Sequence, residues 1–268
     1  MDIIVNHPRK SVVKINDCEK VDKFFWIYRN YSKICYMMIA KGLIGGLFQL
    51  ALFGAFLLVP AGLVPGGTCY WPRALLFLGV YGFILEATIV VLAVVVPASL
   101  EARFKAPFSK KQPVADRIVT AFLILSILAW FSSIPIEVFY LKLLPTPQFA
   151  VSVCGGVLSL VGFAIISATI YQNAFAIPIV EDQIERGQVL IDTGPYAYLR
   201  HPMYFGVLPF LAGIALWLES YASLIATSVI LVILIARIVV EEKVLRKTLP
   251  GYTEYMEKVR YRLVPFVW

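Results

Sequence analysis

Gly42–Val64 contains no charged residue, and an uncharged apolar run of that length is long enough to cross a lipid bilayer as one helix. The pattern recurs. Arg73–Ala98, Ile118–Leu144, Phe149–Ile177, Met203–Glu219 and Tyr221–Val240 read as five further apolar segments, bounded by turn chemistry such as Pro65-Gly66-Gly67, Pro145/Pro147 and Glu219-Ser220. With 60% hydrophobic and 15% charged residues and a mean hydropathy of +0.80, the chain is a polytopic membrane protein rather than a soluble domain. The expected fold is all-α: a transmembrane bundle of about six apolar helices, the last two forming a hairpin, the fifth short for a full crossing. Pro135 should kink the third span, and glycines in the first and fourth spans suit close packing. The reading divides the chain into an N-terminal segment 1–41, four transmembrane helices in 42–177 and a C-terminal region 178–268.

Charge sets the expected orientation. Of the 24 Lys and Arg residues, 21 fall in the segments 1–41, 99–117, 178–202 and 241–268, all on one side of the predicted spans. The opposite side holds Arg73 and Lys142, and Arg237 lies at a helix end. This asymmetry predicts that both termini and both polar C-terminal segments are cytoplasmic. The net charge of +7 then reflects loops facing anionic lipid, and the lack of a continuous basic run argues against nucleic-acid binding. Met1–Lys41 has no apolar core of the kind a cleaved signal peptide needs. Phe24–Tyr28 reads as an interfacial anchor, in a helix or a flexible tail. Cys18, Cys35, Cys69 and Cys154 form no paired motif, and His7 and His201 are the only histidines, so no metal site is expected.

Within this frame one polar stretch stands out: Gly194–Gly206, GPYAYLRHPMYFG. Gly194-Pro195 is turn chemistry. Pro202 suits the first turn of a helix and pushes His201 out of the α region. The reading is loop, turn, then a helix start whose free N–H groups can receive a carboxylate or phosphate.

The stretch resembles the integral membrane methyltransferases related to isoprenylcysteine carboxyl methyltransferase and phospholipid N-methyltransferase. The resemblance extends to Asn173-Ala174-Phe175 and Arg186–Leu190 upstream. Downstream it takes in Glu241-Glu242-Lys243-Val244-Leu245, Gly251–Tyr255 and Val259–Pro265, so that it covers about 168–268. It implies a cytoplasmic pocket for S-adenosylmethionine, formed where the Arg-His-Pro-x-Tyr and Glu-Glu-x-x-Leu segments flank a helix hairpin. Carried over, the cofactor-binding residues are Gly194, Pro195, Tyr196, Arg200, His201, Pro202, Tyr204, Glu241 and Glu242, and the catalytic candidates are Arg200, Asn173 and Glu242. Glu241 and Glu242 would accept hydrogen bonds from ribose or ammonium, the Arg200–Met203 backbone would hold the carboxylate, and Tyr196, Tyr198, Tyr204 and Phe205 would wall the adenine. The expected partners are the bilayer and a lipophilic methyl acceptor, with carboxyl O-methylation of a prenylated cysteine as the leading reaction and phospholipid or small-acceptor methylation as the alternative. Arg200 would orient the acceptor's carboxylate through its planar fork.

Other readings compete residue by residue. Glu241 with Arg237, and Glu242 with Arg246, have helix-surface ion-pair spacing. Arg200 can contact lipid phosphate, His201 can be a cap, and the tyrosines can form an interfacial belt. Two other classes of protein compete. One is a sterol-type, NADPH-dependent reductase, since those enzymes resemble this group at the C-terminal end. The other is a small transporter using Glu86 and Glu137, since intramembrane carboxylates are functional candidates by default.

Overall fold

In the computed structural model the described residues are 17–104, 108, 112–177, 179 and 187–268, with side chains described from residue 35 onward. His7, the side chains of Cys18 and Phe24–Tyr28, and Arg186 lie outside the described residues. Eight α-helices account for the architecture among these residues: α1 (Asp17–Leu63), α2 (Pro72–Val95), α3 (Pro97–Ala102), α4 (Val114–Ile136), α5 (Phe149–Gln172), α6 (Pro202–Trp217), α7 (Tyr221–Thr248) and α8 (Tyr252–Lys258). Prolines open α2, α3 and α6, where a missing N–H costs nothing. Five helical stretches are long and apolar enough to cross a membrane: Cys35–Leu63, Pro72–Val95, Val114–Leu141, Phe149–Gln172 and Tyr221–Thr248. The protein is therefore an all-helical, polytopic bundle, as the hydropathy requires.

Three boundaries differ from the sequence reading. The first span is the end of a helix that begins at Asp17, well before the apolar run. Pro135 stays inside α4, and the helix loosens into a π turn at Glu137–Leu141, ended by Lys142 in the left-handed region. Helix α7 continues two turns past Val240 to Thr248, so Glu241 and Glu242 lie on a helix rather than in a tail.

The tightest packing joins α5 to α6. Gly155, Ser159 and Gly162 on α5 face Gly206 and Gly213 on α6, and a Cβ on Gly162 or Gly213 would run into the partner's backbone at Phe210 or Ser159. Small residues thus let two helices approach to backbone contact, which is how helices associate where lipid removes the hydrophobic drive. The central core joins Phe131 and Ile134 of α4 with Ile214 of α6 and Leu234 and Ile238 of α7. Phe53 stacks on Phe131 with centroids 4.4 Å apart. Outward, Phe48, Phe83, Phe122, Phe149, Val157 and Val232 are exposed apolar side chains on every long span, a surface suited to acyl chains and not to water.

Alternating helices place the turns after α1, α4 and α6 at one end. There Arg73 pairs with Glu219 at 3.1 Å and donates to the Trp217 carbonyl at 3.1 Å. Helix α6 is level with α2 at that end. With 16 residues against 24 it stops about 12 Å short at the other. The short apolar helix α6 therefore ends part-way, and C-terminal residues occupy part of the space left: Leu263 is buried in the main core, with Val264 and Trp268 packed against it. Glu86 lies against Gly46 of α1, and Glu137 opens the π turn at the far end. The two acids are thus on separate parts of the bundle.

Candidate active site

The recess at the start of α6 is built by three segments. Gly194, with φ +58, turns the chain into a 3-10 turn, Gly194–Ala197, that a side-chain-bearing residue would strain. Gln172, the last residue of α5, donates to Thr193 Oγ1 at 2.9 Å and fixes where that turn begins. Arg200 and His201 then lead into α6 outside any helix. Their N–H groups donate to the carbonyls of Tyr261 at 3.0 Å and Arg262 at 2.9 Å. Tyr255, on α8, donates its hydroxyl to the Tyr196 carbonyl at 2.7 Å. The segment before α6 is clamped by residues about sixty positions later.

Side chains from α6 and α7 meet across this clamp. Glu242 Oε2 accepts from Arg262 Nε at 3.0 Å. Its Oε1 lies 3.2 Å from Arg200 Nε, an ion-pair contact without hydrogen-bond alignment, and 3.4 Å from His201 Nε2. The Glu242 and Arg200 side chains are only 4% and 5% exposed, so this is a buried ionic cluster with one carboxylate at its centre. Burial pulls the Arg200 guanidinium below its ordinary value, and Glu242 opposes that pull.

Glu241 belongs to a second chain of contacts. The Tyr204 hydroxyl donates to Glu241 Oε2 at 2.8 Å and accepts from Arg237 Nε at 2.9 Å. Arg237 Nη1 donates to Thr120 Oγ1 at 2.8 Å and lies 3.9 Å from Asp116 Oδ1, which ties α4 to the site. His201 stacks on Tyr204, centroids 5.7 Å apart and planes at 11°, and its Nδ1 is 3.9 Å from Glu241 Oε2.

Beside this network lies a cavity walled by Asn173, Phe175–Ile177, Gln188–Ile191, Tyr196, Arg200–Tyr204, Glu241, Leu245, Leu249, Tyr252 and Tyr255. Its lining mixes polar and apolar side chains. The Tyr252 hydroxyl is buried without a hydrogen-bond partner, and burial together with the nearby glutamates pushes it above the ordinary phenol value. The Asn173 side chain is within hydrogen-bonding reach of the Tyr196 hydroxyl, and its Oδ1 accepts from the Phe175 N–H at 2.9 Å.

Most of the residues expected from sequence meet here. Asn173, Tyr196, Arg200, His201, Pro202, Tyr204 and Glu241 line the cavity. Gly194 and Pro195 shape the turn behind it, and Glu242 braces Arg200 and His201 from outside the wall. Tyr198 is 75% exposed, and Phe205 packs on the bundle core, so neither walls the cavity. Neither glutamate makes the i, i+4 pair its spacing allows: Tyr204 stands between Arg237 and Glu241, and Arg246 Nε contacts Met256 sulfur at 3.2 Å while Glu242 faces inward. Tyr252, Tyr255, Arg262, Thr120 and Asp116 were not singled out by the sequence. Tyr252 and Tyr255 sit in the quoted Gly-Tyr-Thr-Glu-Tyr motif, and that motif was the available signal.

A polytopic helical membrane protein with a polar recess between an Arg-His-Pro helix start and a Glu-Glu helix end is the class these features define. Residues 150–250 match the family model for phospholipid methyltransferases, a family of the integral membrane methyltransferases that include isoprenylcysteine carboxyl methyltransferase. The matched stretch runs from α5 to the end of α7 and holds all of the cavity-lining candidates. No curated protein matches the chain. Fold and family match together support an integral membrane methyltransferase acting on lipid substrates.

Proposed function

We propose that the protein methylates the amine of a lipid headgroup, using S-adenosylmethionine bound in the recess at the start of α6. The observation that carries the acceptor class is the different state of the two charged groups on the wall. Arg200 is already engaged by Glu242, and its Nη2 reaches the Arg260 carbonyl at 3.5 Å. Glu241 faces the cavity with its side chain a quarter exposed. A bound carboxylate would have to displace Glu242 from Arg200, whereas an ammonium meets an acid that is already open. This favours an amine acceptor over a prenylcysteine carboxylate.

The residues present fit the cofactor. The buried, unpartnered Tyr252 hydroxyl is a donor waiting for an acceptor. The first turn of α6 adds backbone N–H groups with no intrahelical partner. Glu241 suits a diol or an ammonium, and Leu190, Leu245, Leu249 and Phe175 offer an apolar wall for a purine. When bound, S-adenosylmethionine supplies an electrophilic methyl group on a sulfonium. The chain's own work is to align the acceptor nitrogen, exclude water and receive the proton that a primary ammonium must lose before it attacks. Glu241, held by Tyr204 and backed by Arg237, is the group placed to receive it.

The test is methyl transfer from labelled S-adenosylmethionine in detergent–lipid micelles, with phosphatidylethanolamine and a prenylcysteine analogue as acceptors, beside a thermal-shift panel of S-adenosylhomocysteine and NADPH. Stabilisation by S-adenosylhomocysteine and label in phosphatidylethanolamine is the expected result. Label only in the prenylcysteine analogue overturns the amine assignment. Stabilisation by NADPH alone overturns the methyltransferase reading in favour of a reductase.

A further inference from the structure

The described buried or half-buried arginines of the bundle have carboxylates near them, with one exception. Arg73 has Glu219, Arg200 and Arg262 share Glu242, and Arg237 has Asp116 with Glu241 beyond Tyr204. Arg103 has none among the described residues. Its Nη1 donates to the Ser99 carbonyl at 3.0 Å, and its Nη2 is buried without any hydrogen-bond partner. Burial pulls this guanidinium down to about 10, and the electrostatic influence opposing it comes from Tyr196. A buried guanidinium edge left in this state is unfavourable unless something anionic completes it.

The position is specific. Arg103 follows α3, the short helix that caps α2 at the site end of the bundle. Ser99 Oγ donates to the Ile170 carbonyl at 2.6 Å, which fastens α3 to the end of α5. Ala102 packs with Ile177 and Ile179, the continuation of the cavity wall that begins at Asn173. Tyr196 is the shared element: it lines the cavity, is reached by Asn173, and feels both Arg103 and Glu241. Tyr196 is thus within electrostatic reach of both a cationic fork and an open acid, at the end of the bundle where helix α2 stops.

We propose that Arg103 binds the phosphodiester of the acceptor lipid, holding the headgroup so that its amine reaches the Glu241 side of Tyr196. The inference rests on the lipid-amine methyltransferase reading and supplies its specificity determinant. A planar guanidinium with an unused N–H edge matches two phosphate oxygens, and a zwitterionic headgroup is complementary to a cation and an acid that both lie near one residue. A free phosphate offers the same anion without the acyl chains, so the source must be separated by experiment.

Wild type, Arg103→Gln and Arg103→Lys are compared in detergent by thermal shift with dihexanoyl-phosphatidylethanolamine, glycerophosphoethanolamine and inorganic phosphate. In parallel, methyl transfer to phosphatidylethanolamine and to a phosphate-free long-chain alkylamine is followed. The short-chain phospholipid should stabilise wild type, with an apparent affinity about tenfold weaker in Arg103→Gln and partly restored in Arg103→Lys; the two water-soluble phosphates should not stabilise. Arg103→Gln should raise KM for phosphatidylethanolamine, leave transfer to the alkylamine and binding of S-adenosylhomocysteine unchanged, and melt no lower than wild type without ligand, because it removes an uncompensated buried charge. Equal losses on both acceptors, a lowered ligand-free melting temperature, or stabilisation by inorganic phosphate as strong as by the phospholipid would overturn the assignment. Arg103-dependent phospholipid binding with no methyl transfer to any amine would instead overturn the catalytic reading and leave the phosphate site standing.

Discussion

Tyr255 and Tyr196 are joined by a hydrogen bond of 2.7 Å across 59 positions of chain, from a hydroxyl on α8 to a carbonyl in the 3-10 turn before α6. Both residues also line the cavity, so one contact sets the shape of the turn and the position of a wall. Tyr255→Phe keeps the ring and deletes the donor. It should cost about 1 kcal/mol of stability and weaken S-adenosylhomocysteine binding, because the turn is no longer pinned. Calorimetry and melting curves on the purified variant check both. A full-strength affinity would separate the clamp from the pocket.

Adjacent acids on α7 should behave differently. Glu242 faces Arg200, Arg262 and His201 at the centre of a buried cluster. Glu242→Gln should cost about 3–5 kcal/mol, the magnitude for breaking a buried ion pair, and appear chiefly as a lowered melting temperature. Glu241 is more open and lines the cavity. Glu241→Gln should leave melting nearly unchanged and weaken ligand binding about tenfold, as expected for losing a charge-assisted hydrogen bond. Thermal shift and calorimetry run on both variants distinguish the roles. Reversed results would exchange brace and wall.

The difference between these neighbours marks where the sequence stopped being informative. Hydropathy was enough to place the spans, since lipid demands uncharged helices of a fixed length, and Pro202 was enough to start α6. The motif stretch Gly194–Gly206 and the Glu241–Glu242 pair are legible through their resemblance to motifs of the membrane methyltransferases. Which of two adjacent acids faces inward is not legible: that depends on the rotation of α7 against α4 and on where Arg262 arrives. The Arg200–Tyr261 and His201–Arg262 backbone bonds depend on a tail whose composition reads as a polar extension. Leu263 gave no periodic signal of its burial, because an irregular segment entering a core has no period. Arg103 was one of five basic residues in its loop, and its half-buried position with an unpartnered Nη2 is visible only in three dimensions.

Contact between α5 and α6 is backbone-close at Gly162 and Gly213, while a Cβ on Gly45 of α1 would meet nothing within 4 Å. Gly213→Val should therefore cost about 3 kcal/mol or more through overpacking and reduce the yield of monodisperse protein in detergent. Gly45→Ala should melt no lower than wild type, since alanine favours a helix and enters open space. Size-exclusion profiles and melting temperatures compare the two. Tolerance of valine at position 213 would mean that α5 and α6 are free to separate.

Orientation is the last expectation, and the structure supplies a native reporter for it. The turns carrying Arg73 and Glu219 share one end, and the candidate site lies at the other. The charge asymmetry predicts that the Arg73 end faces outward and the site faces the cytoplasm. Gly67 is a poor place for a probe, because a side chain there would collide with the Ala61 carbonyl. Cys69, two residues on, is already an exposed free thiol in the same turn. An impermeant maleimide added to intact cells should label wild type, and Cys69→Ser should lose most of that label. In a background with the native cysteines replaced, Gln188→Cys, on the cavity wall at the opposite end, should react only after permeabilisation. Labelling of Gln188→Cys in intact cells with protection of Cys69 would invert the topology. The recess, and any lipid acceptor it serves, would then belong to the outer leaflet.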